Sequence, residues 1–404
     1  MTSLNDLLKH YCPNGVKMVP ISDICTSMYR GSGIKREQIR DKGTPCVRYG
    51  EIYTTYGIWF DQCQSFTSED ELDSKKYFEY GDILVAITGE NVDDIAKSTA
   101  YVGHEKCLAG GDILILKHNQ NPKYISYALS TTSAHNQKIK GKVKSKVVHA
   151  SISSIGSIVI PLPPIEIQDK IVNILDDFTE LAAELAAELA ARKKQYEFYR
   201  DKLLSFDHLT PEERERAGVR WMSLKSVATY TKGGYITKQN AISGDVPVIS
   251  GGLEPAFYHN TSNRDGESIV IARSGVNAGH VSYWSTPIYV SDTFTIDPNT
   301  DILTYKYLYH CLKTIQNKII DSNRGAGVPH INKESLSKFV IPIIDIDEQI
   351  KITKLLDNFN KLCNDLSNGI PAEIKARKKQ YEHYRDKLLS FEDYTVVKTS
   401  SEVV

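Results

Sequence analysis

The sequence has no excess of charge of either sign: 49 Lys and Arg stand against 50 Asp and Glu over 404 residues. A near-neutral chain offers no global field to a polyanion, so any nucleic-acid surface has to be a local patch. No apolar run approaches the roughly 18 residues that a membrane span needs, and the opening MTSLNDLLKHYC lacks the basic and apolar regions of a signal peptide. A soluble, cytoplasmic protein is expected. The seven cysteines (Cys12, Cys25, Cys46, Cys63, Cys107, Cys311, Cys363) form no CxxC pair and no zinc spacing, and their odd number argues for reduced structural thiols. Catalytic signatures are missing too: there is no GxxxxGK[ST] phosphate loop, no HExxH, no [ND]PP[YF] and no GxGxxG opening a helix after a strand. The glycine pairs GSG at 31–33 and GAG at 325–327 read as flexible turns, and a divergent nuclease centre of Asp82, Glu90 and Lys97 is the one catalytic arrangement left to consider. No bound metal or cofactor is expected.

What the chain does have is a repeat, and a repeat decides architecture before any local motif. ARKKQYEFYRDKLLSF at 191–206 recurs as ARKKQYEHYRDKLLSF at 376–391, differing only at Phe198 and His383. Upstream, IVIPLPPIEIQDKIVNILDDF at 158–178 matches FVIPIIDIDEQIKITKLLDNF at 339–359, pairing Pro161 with Pro342 and Gln168 with Gln349. Fainter matches continue further upstream, KYISYALS at 123 with KYLYHCLK at 306, and VKMVPISDI at 16 with VRWMSLKSV at 219. The whole unit is duplicated: a variable domain, a helix, a second variable domain, a second helix. Boundaries are expected at 1–160, 161–208, 209–341 and 342–404. Helices that stayed alike face one kind of partner; domains that diverged face different targets.

Ile167, Ile171, Ile174, Leu175, Phe178, Leu181, Leu185 and Leu189 recur at three- and four-residue steps, the mark of an amphipathic helix. LAAELAAELAAR adds three tetrapeptide steps of strong helix formers, and some 40 residues make a rod of about 60 Å. In the second copy SNGIP at 367–371 is expected to divide the helix, because Pro371 cannot sit in an unbroken interior. Ordinary packing accounts for both stripes, with the helices antiparallel and related by a pseudo-two-fold axis. Short β-rich runs (GDILVAIT at 81, GGDILILK at 110, ESIVIARSG at 267, PIYVSDTFTI at 287) alternate with helical stretches near 123–140 and 304–320. The fold class is therefore mixed α/β (α+β): two globular domains separated by a coiled-coil spacer.

The loops carry residues suited to nucleic acid. In HNQKIKGKVKSKVVHAS, an extended backbone would put Lys138, Lys140, Lys142, Lys144 and Lys146 on one side, either following phosphates or protecting a solvated edge strand. The equivalent DSNRGAGVPHIN places Arg324 and His330 around small residues, with His330 matching His149; each histidine is read as a structural hydrogen-bonder or a base contact. Further candidates are Arg30, Lys35, Arg36, Arg48 and Tyr49 in the first domain, and Lys232, Tyr235, Lys238, Arg273, Ser274 and Asn277 in the second. Arginine reads guanine bidentately, Asn reads adenine and Lys more often holds phosphate; taken singly, surface solubility explains each as well.

Tandem variable domains separated by ARKKQYExYRDKLLSF helices, each preceded by an IP…Q…LDxF segment, resemble the specificity subunit of type I restriction-modification systems. The resemblance spans nearly the full chain, is specific in the helices and weak in the variable domains. It implies that each domain reads a few base pairs of a bipartite, asymmetric double-stranded DNA target while the helices act as a ruler. It also implies two methyltransferase subunits, which would use S-adenosylmethionine and flip out an adenine, and two restriction subunits, which would use ATP and Mg; these cofactors would sit on the partners. Two rivals stand beside it: a coiled-coil scaffold whose domains bind proteins or glycans, and a self-contained nuclease.

Overall fold

The computed structural model describes residues 4–89, 92, 94–140, 148–322, 331–364 and 369–391. The chain divides into two compact units, Met1–Glu184 with Ile374–Val404, and Leu185–Glu373. The division cuts both long helices, so each globular domain is completed by the ARKKQYExYRDKLLSF segment of the other repeat.

In the first unit, one five-stranded sheet runs Cys25–Arg30, Ile113–His118, Ile83–Ala86, Ser98–Tyr101, Trp59–Phe60. A second runs Ile39–Arg40, Ser65–Thr67, Thr44–Val47, Cys107–Ala109, Tyr77–Phe78. Strands such as Ile83–Ala86 are buried along their whole length and read as unbroken apolar runs because both faces are covered. The second unit repeats the plan with fewer strands: Ala228–Lys232, Phe294–Pro298, Ser268–Ile271, Val281–Trp284 in one sheet and Phe257–His259, Val246–Ile249, Tyr289–Val290 in the other. In each unit a two-stranded ladder ties the start of the domain to the segment just before its helix, Met18–Pro20 with Val159–Pro161 and Arg220–Ser223 with Val340–Ile343, with Pro161 opposite Met18 and Pro342 opposite Trp221.

A helix of 41 residues, Ile165–Ser205, follows the first ladder. After the second, the helix is in two pieces, Ile346–Asn364 and Ile370–Ser390, with Pro371 in the first turn of the latter, where its missing N–H costs nothing. Gln168 and Gln349 are fully buried at the equivalent first turns. Gln168 donates to the Pro163 carbonyl (2.8 Å) and accepts from the backbone of Asn121 (3.1 Å), while Gln349 donates to the Ile344 and Ile302 carbonyls (2.9 and 2.8 Å) and accepts from Thr304 (2.9 Å). Asn121 and Thr304 are themselves the caps of the domain helices Pro122–Leu129 and Tyr305–Thr314, so one amide fastens two helix starts together.

The borrowed segments pack against the resident helix within each unit. Phe178 stacks on Tyr384 (centroids 5.5 Å apart) in the first and Tyr196 on Phe359 (6.1 Å) in the second. Both segments end on a buried phenylalanine in left-handed backbone, Phe206 (φ 55°) and Phe391 (φ 53°). That conformation costs roughly 1–2 kcal/mol for an L-residue, which burial of the ring in the domain core offsets. The second apolar stripe is not wholly buried: Leu355 and Leu362 are 57 % and 45 % exposed.

Candidate nucleic-acid interface

In the second unit, strand Ala228–Lys232 runs into Gly233 and Gly234, which lie so close to the strand Tyr289–Val290 that an added Cβ would come within 2.5 Å of the Val290 carbonyl or 2.6 Å of the Tyr289 hydroxyl. Only glycine fits at 233, against backbone, and the chain leaves with Tyr235 79 % exposed and Lys238 exposed behind it. The backbone N–H of Asp292 donates to the Gly234 carbonyl (2.9 Å), and its carboxylate lies 4.0 Å from the Arg273 guanidinium. Asn277 reaches from the same loop as Arg273 and Ser274 to the Gly251 carbonyl (3.2 Å), and a Cβ on Gly251 would meet the Ser274 carbonyl at 2.9 Å. Three loops far apart in sequence, around 233–235, 251–253 and 273–279, are thereby linked through Asp292, Gly234 and Gly251, which brings Arg273, Ser274 and Asn277 together. Lys232 closes its strand beside them, exposed.

The first unit uses the same device. Strand Cys25–Arg30 leads into Gly31, where a Cβ would lie 2.1 Å from the Gly110 carbonyl. Arg30 pairs with Asp112 at 3.0 Å. Lys35 heads a short turn, its N–H bonded to Gln38 (2.8 Å), and Arg36 follows it exposed. Arg48 caps the helix Tyr49–Thr54, pairs with Glu51 at 3.6 Å and keeps a buried Nε without a partner. Arg36, Arg48, Tyr49 and Asp112 line one open cleft of about 770 Å³ floored by Gly33, Gly110 and Gly111. His149 is exposed and bonded to Thr88 (3.1 Å), whose carbonyl accepts from Tyr53 of the helix that Tyr49 begins.

Lys138 does not belong to an extended lysine row. Lys138 lies in the helix Thr132–Ile139, buried, with Nζ donating to the Leu129 carbonyl at 2.6 Å. Burial holds its ammonium pKa down at about 7, and Arg385 nearby adds to the effect. A buried helical lysine follows no phosphates, so no extended row includes it. Lys140 is exposed after the last turn of that helix; Lys142, Lys144, Lys146, Arg324 and His330 lie outside the described residues. Of the conceivable nuclease centre, buried Asp82 pairs with Lys117 (3.0 Å) and Lys97 donates to the Tyr53 and Tyr56 carbonyls (both 3.2 Å), so each of the two is engaged with other partners; Glu90 lies outside the described residues. Among the described residues no cluster of His, Cys, Asp or Glu is placed to hold a metal, and no helix is long and apolar enough to cross a membrane. The seven cysteines are free thiols.

Two copies of one loop-bearing domain match one family model, the type I restriction modification DNA specificity domain, at residues 13–192 and 218–376. The chain belongs to that family. The EcoR124I/EcoR124II type I restriction enzyme specificity subunit of Escherichia coli is 34 % identical over 300 residues, covering 67 % of this chain and 70 % of that one. A putative type I restriction enzyme specificity subunit of Haemophilus influenzae is 32 % identical over 277 residues, covering 63 % and 68 %. Among solved structures, a chain from work on complex assembly and conformational transition of the type I R-M system shares the fold at a TM-score of 0.63 (16 % identity, 93 % of this chain and 98 % of that one). The type I restriction-modification S subunit of M. genitalium does so at 0.54 (16 %, 93 % and 97 %).

Sequence reasoning missed the acidic partners of the loop arginines. Arg48 and Glu51, three residues apart, could have been seen as a pair; Arg30 with Asp112 and Arg273 with Asp292 meet only through strand pairing. The carboxylates orient the guanidiniums, and exposed pairs of this kind are weak enough to exchange for another anion.

Proposed function

We propose that this chain is the non-catalytic recognition subunit of a type I restriction-modification enzyme, reading an asymmetric two-part double-stranded DNA target with one half-site per domain. The observation that carries the reading is the contrast inside the repeat: the helical segments, with their paired Gln168 and Gln349, are built alike, whereas the loops they support differ in length and chemistry. On DNA, Arg36 and Arg48 in the first cleft and Arg273 and Asn277 in the second loop cluster supply base contacts, and Lys35, Lys232 and Lys238 hold phosphates. Arginines released from Asp112, Glu51 and Asp292 exchange a carboxylate for a phosphate or a guanine edge.

Two methyltransferase and two restriction subunits dock on the helices and bring S-adenosylmethionine, ATP and Mg with them. Phe198, Tyr199, Leu355 and Leu362, exposed apolar side chains of the helical segments, provide surface for that docking. Such an assembly works in the cytoplasm, where its DNA and its cofactors are. The scaffold reading gives no reason for arginine and close-approach glycines to gather in both domains. Methylome sequencing of cells carrying this chain with its cognate methyltransferase tests the proposal: methylated adenines in a two-part, asymmetric motif are expected, and a continuous or palindromic motif, or none, would overturn it.

A further inference from the structure

Val276 is 97 % exposed, and it does not sit on a loose loop. The turn around it is closed by backbone bonds from Gly279 to Ala272 (2.9 Å), Ala272 to His280 (2.9 Å) and Ala278 to Gly275 (3.0 Å), and Asn277 pins it to Gly251. Gly275 (φ 85°) and Gly279 (φ 91°) supply the left-handed backbone that the turn requires. The fold thus holds a β-branched apolar side chain out in water at the tip of a rigid turn, three residues from Arg273 and beside the small residues Ser274 and Gly275, which let a backbone approach closely. Tyr235, on the neighbouring loop, is exposed in the same way.

A cation next to a projecting methyl pair fits a duplex edge. Phosphates and bases there offer charge and hydrogen bonds, and the one apolar group in the major groove is the C5-methyl of thymine. Building on the reading of this loop cluster as a DNA surface, we propose that Val276 is a specificity-determining residue that recognises a thymine in the half-site of the second domain through its C5-methyl group. Arg273 holds the adjoining phosphate or guanine, and the rigid turn fixes the distance between the two contacts.

The test uses the full chain in complex with its methyltransferase, on duplexes in which each thymine of the second half-site, on either strand, is replaced singly by deoxyuridine, which removes only the methyl. One position should weaken binding by about fourfold, the effect of taking one methyl out of an apolar contact. Val276→Ala should bind thymine and deoxyuridine equally at that position, and Val276→Ile should restore the discrimination. A half-site without thymine, no sensitive position, or undiminished sensitivity in Val276→Ala would overturn the proposal. Arg273→Ala separates this outcome from a wider failure. If it weakens binding while deoxyuridine has no effect, only the role of Val276 is lost; if neither matters, the loop cluster is not a DNA surface.

Discussion

The guanidinium of Arg273 lies 4.0 Å from the carboxylate of Asp292, a residue that itself adopts left-handed backbone (φ 50°) where two loops of the second unit meet. A carboxylate in that place orients the arginine and, on the proposed DNA surface, would repel phosphate when no correct base is there to compensate. Asp292→Asn keeps a side chain tolerant of that backbone and removes the charge. It is expected to tighten binding to unrelated duplex DNA several-fold and to narrow the gap between target and non-target, read by titration at fixed salt. Unchanged non-target affinity would show that the carboxylate has no such role.

Effects of loop substitutions should separate by half-site. Arg36→Ala in the first cleft and Arg273→Ala in the second cluster should each cost about 1–3 kcal/mol on the full target, with relaxed sequence preference confined to their own half. Lys238→Ala should weaken all sequences alike and lower the salt slope by about one. Methylation of variant-site libraries distinguishes the patterns.

Lys138 predicts a pH dependence. Its folded pKa of about 7 is below the usual 10.5, so the unfolded chain binds more protons between those values, and stability should rise with pH from about 7 toward 10. Below 7 the amine is protonated in both states and its destabilisation is at its full size. Lys138→Met should flatten this slope and, despite leaving the Leu129 carbonyl without its donor, stabilise at pH 6 by a few kcal/mol at most, since each unit of depression corresponds to about 1.4 kcal/mol. Denaturant melts from pH 6 to 9 check it; parallel slopes for the two proteins would contradict it.

Gln168→Ala and Gln349→Ala each leave buried backbone groups at two helix starts without partners. A loss of about 1–3 kcal/mol is expected for each, seen as a lower melting temperature. Gln380→Ala, at an exposed position of the helix Ile370–Ser390, serves as the reference and should be near neutral.

The helices could be read from sequence because their information is local and repeated: the ARKKQYExYRDKLLSF copies, the three- and four-residue apolar spacing, and a proline at 371 that admits only a break. The mixed α/β class followed from short β runs between helical stretches. The exchange of helical segments between units was not legible, because nothing in 374–391 says which domain it will pack on. Lys138 misled for a physical reason: alternation along an extended chain shares residues with a helix, where 138 lies near the 129 carbonyl, and tertiary burial overrode the pattern. The loop clusters were visible only as sets of residue types. Their assembly depends on bonds such as Asn277 to Gly251 and Asp292 to Gly234, made across sheets whose register no periodicity fixes.

Adenine methylation mapped for the intact chain and for a version lacking one LAAE step of 181–192 tests the ruler itself. Removing four helical residues shortens the helix by about 6 Å, so the gap between half-sites should shrink by about one or two base pairs, with both half-sites unchanged. An unaltered gap in a protein that still methylates DNA, or a change in the bases recognised, would contradict the account.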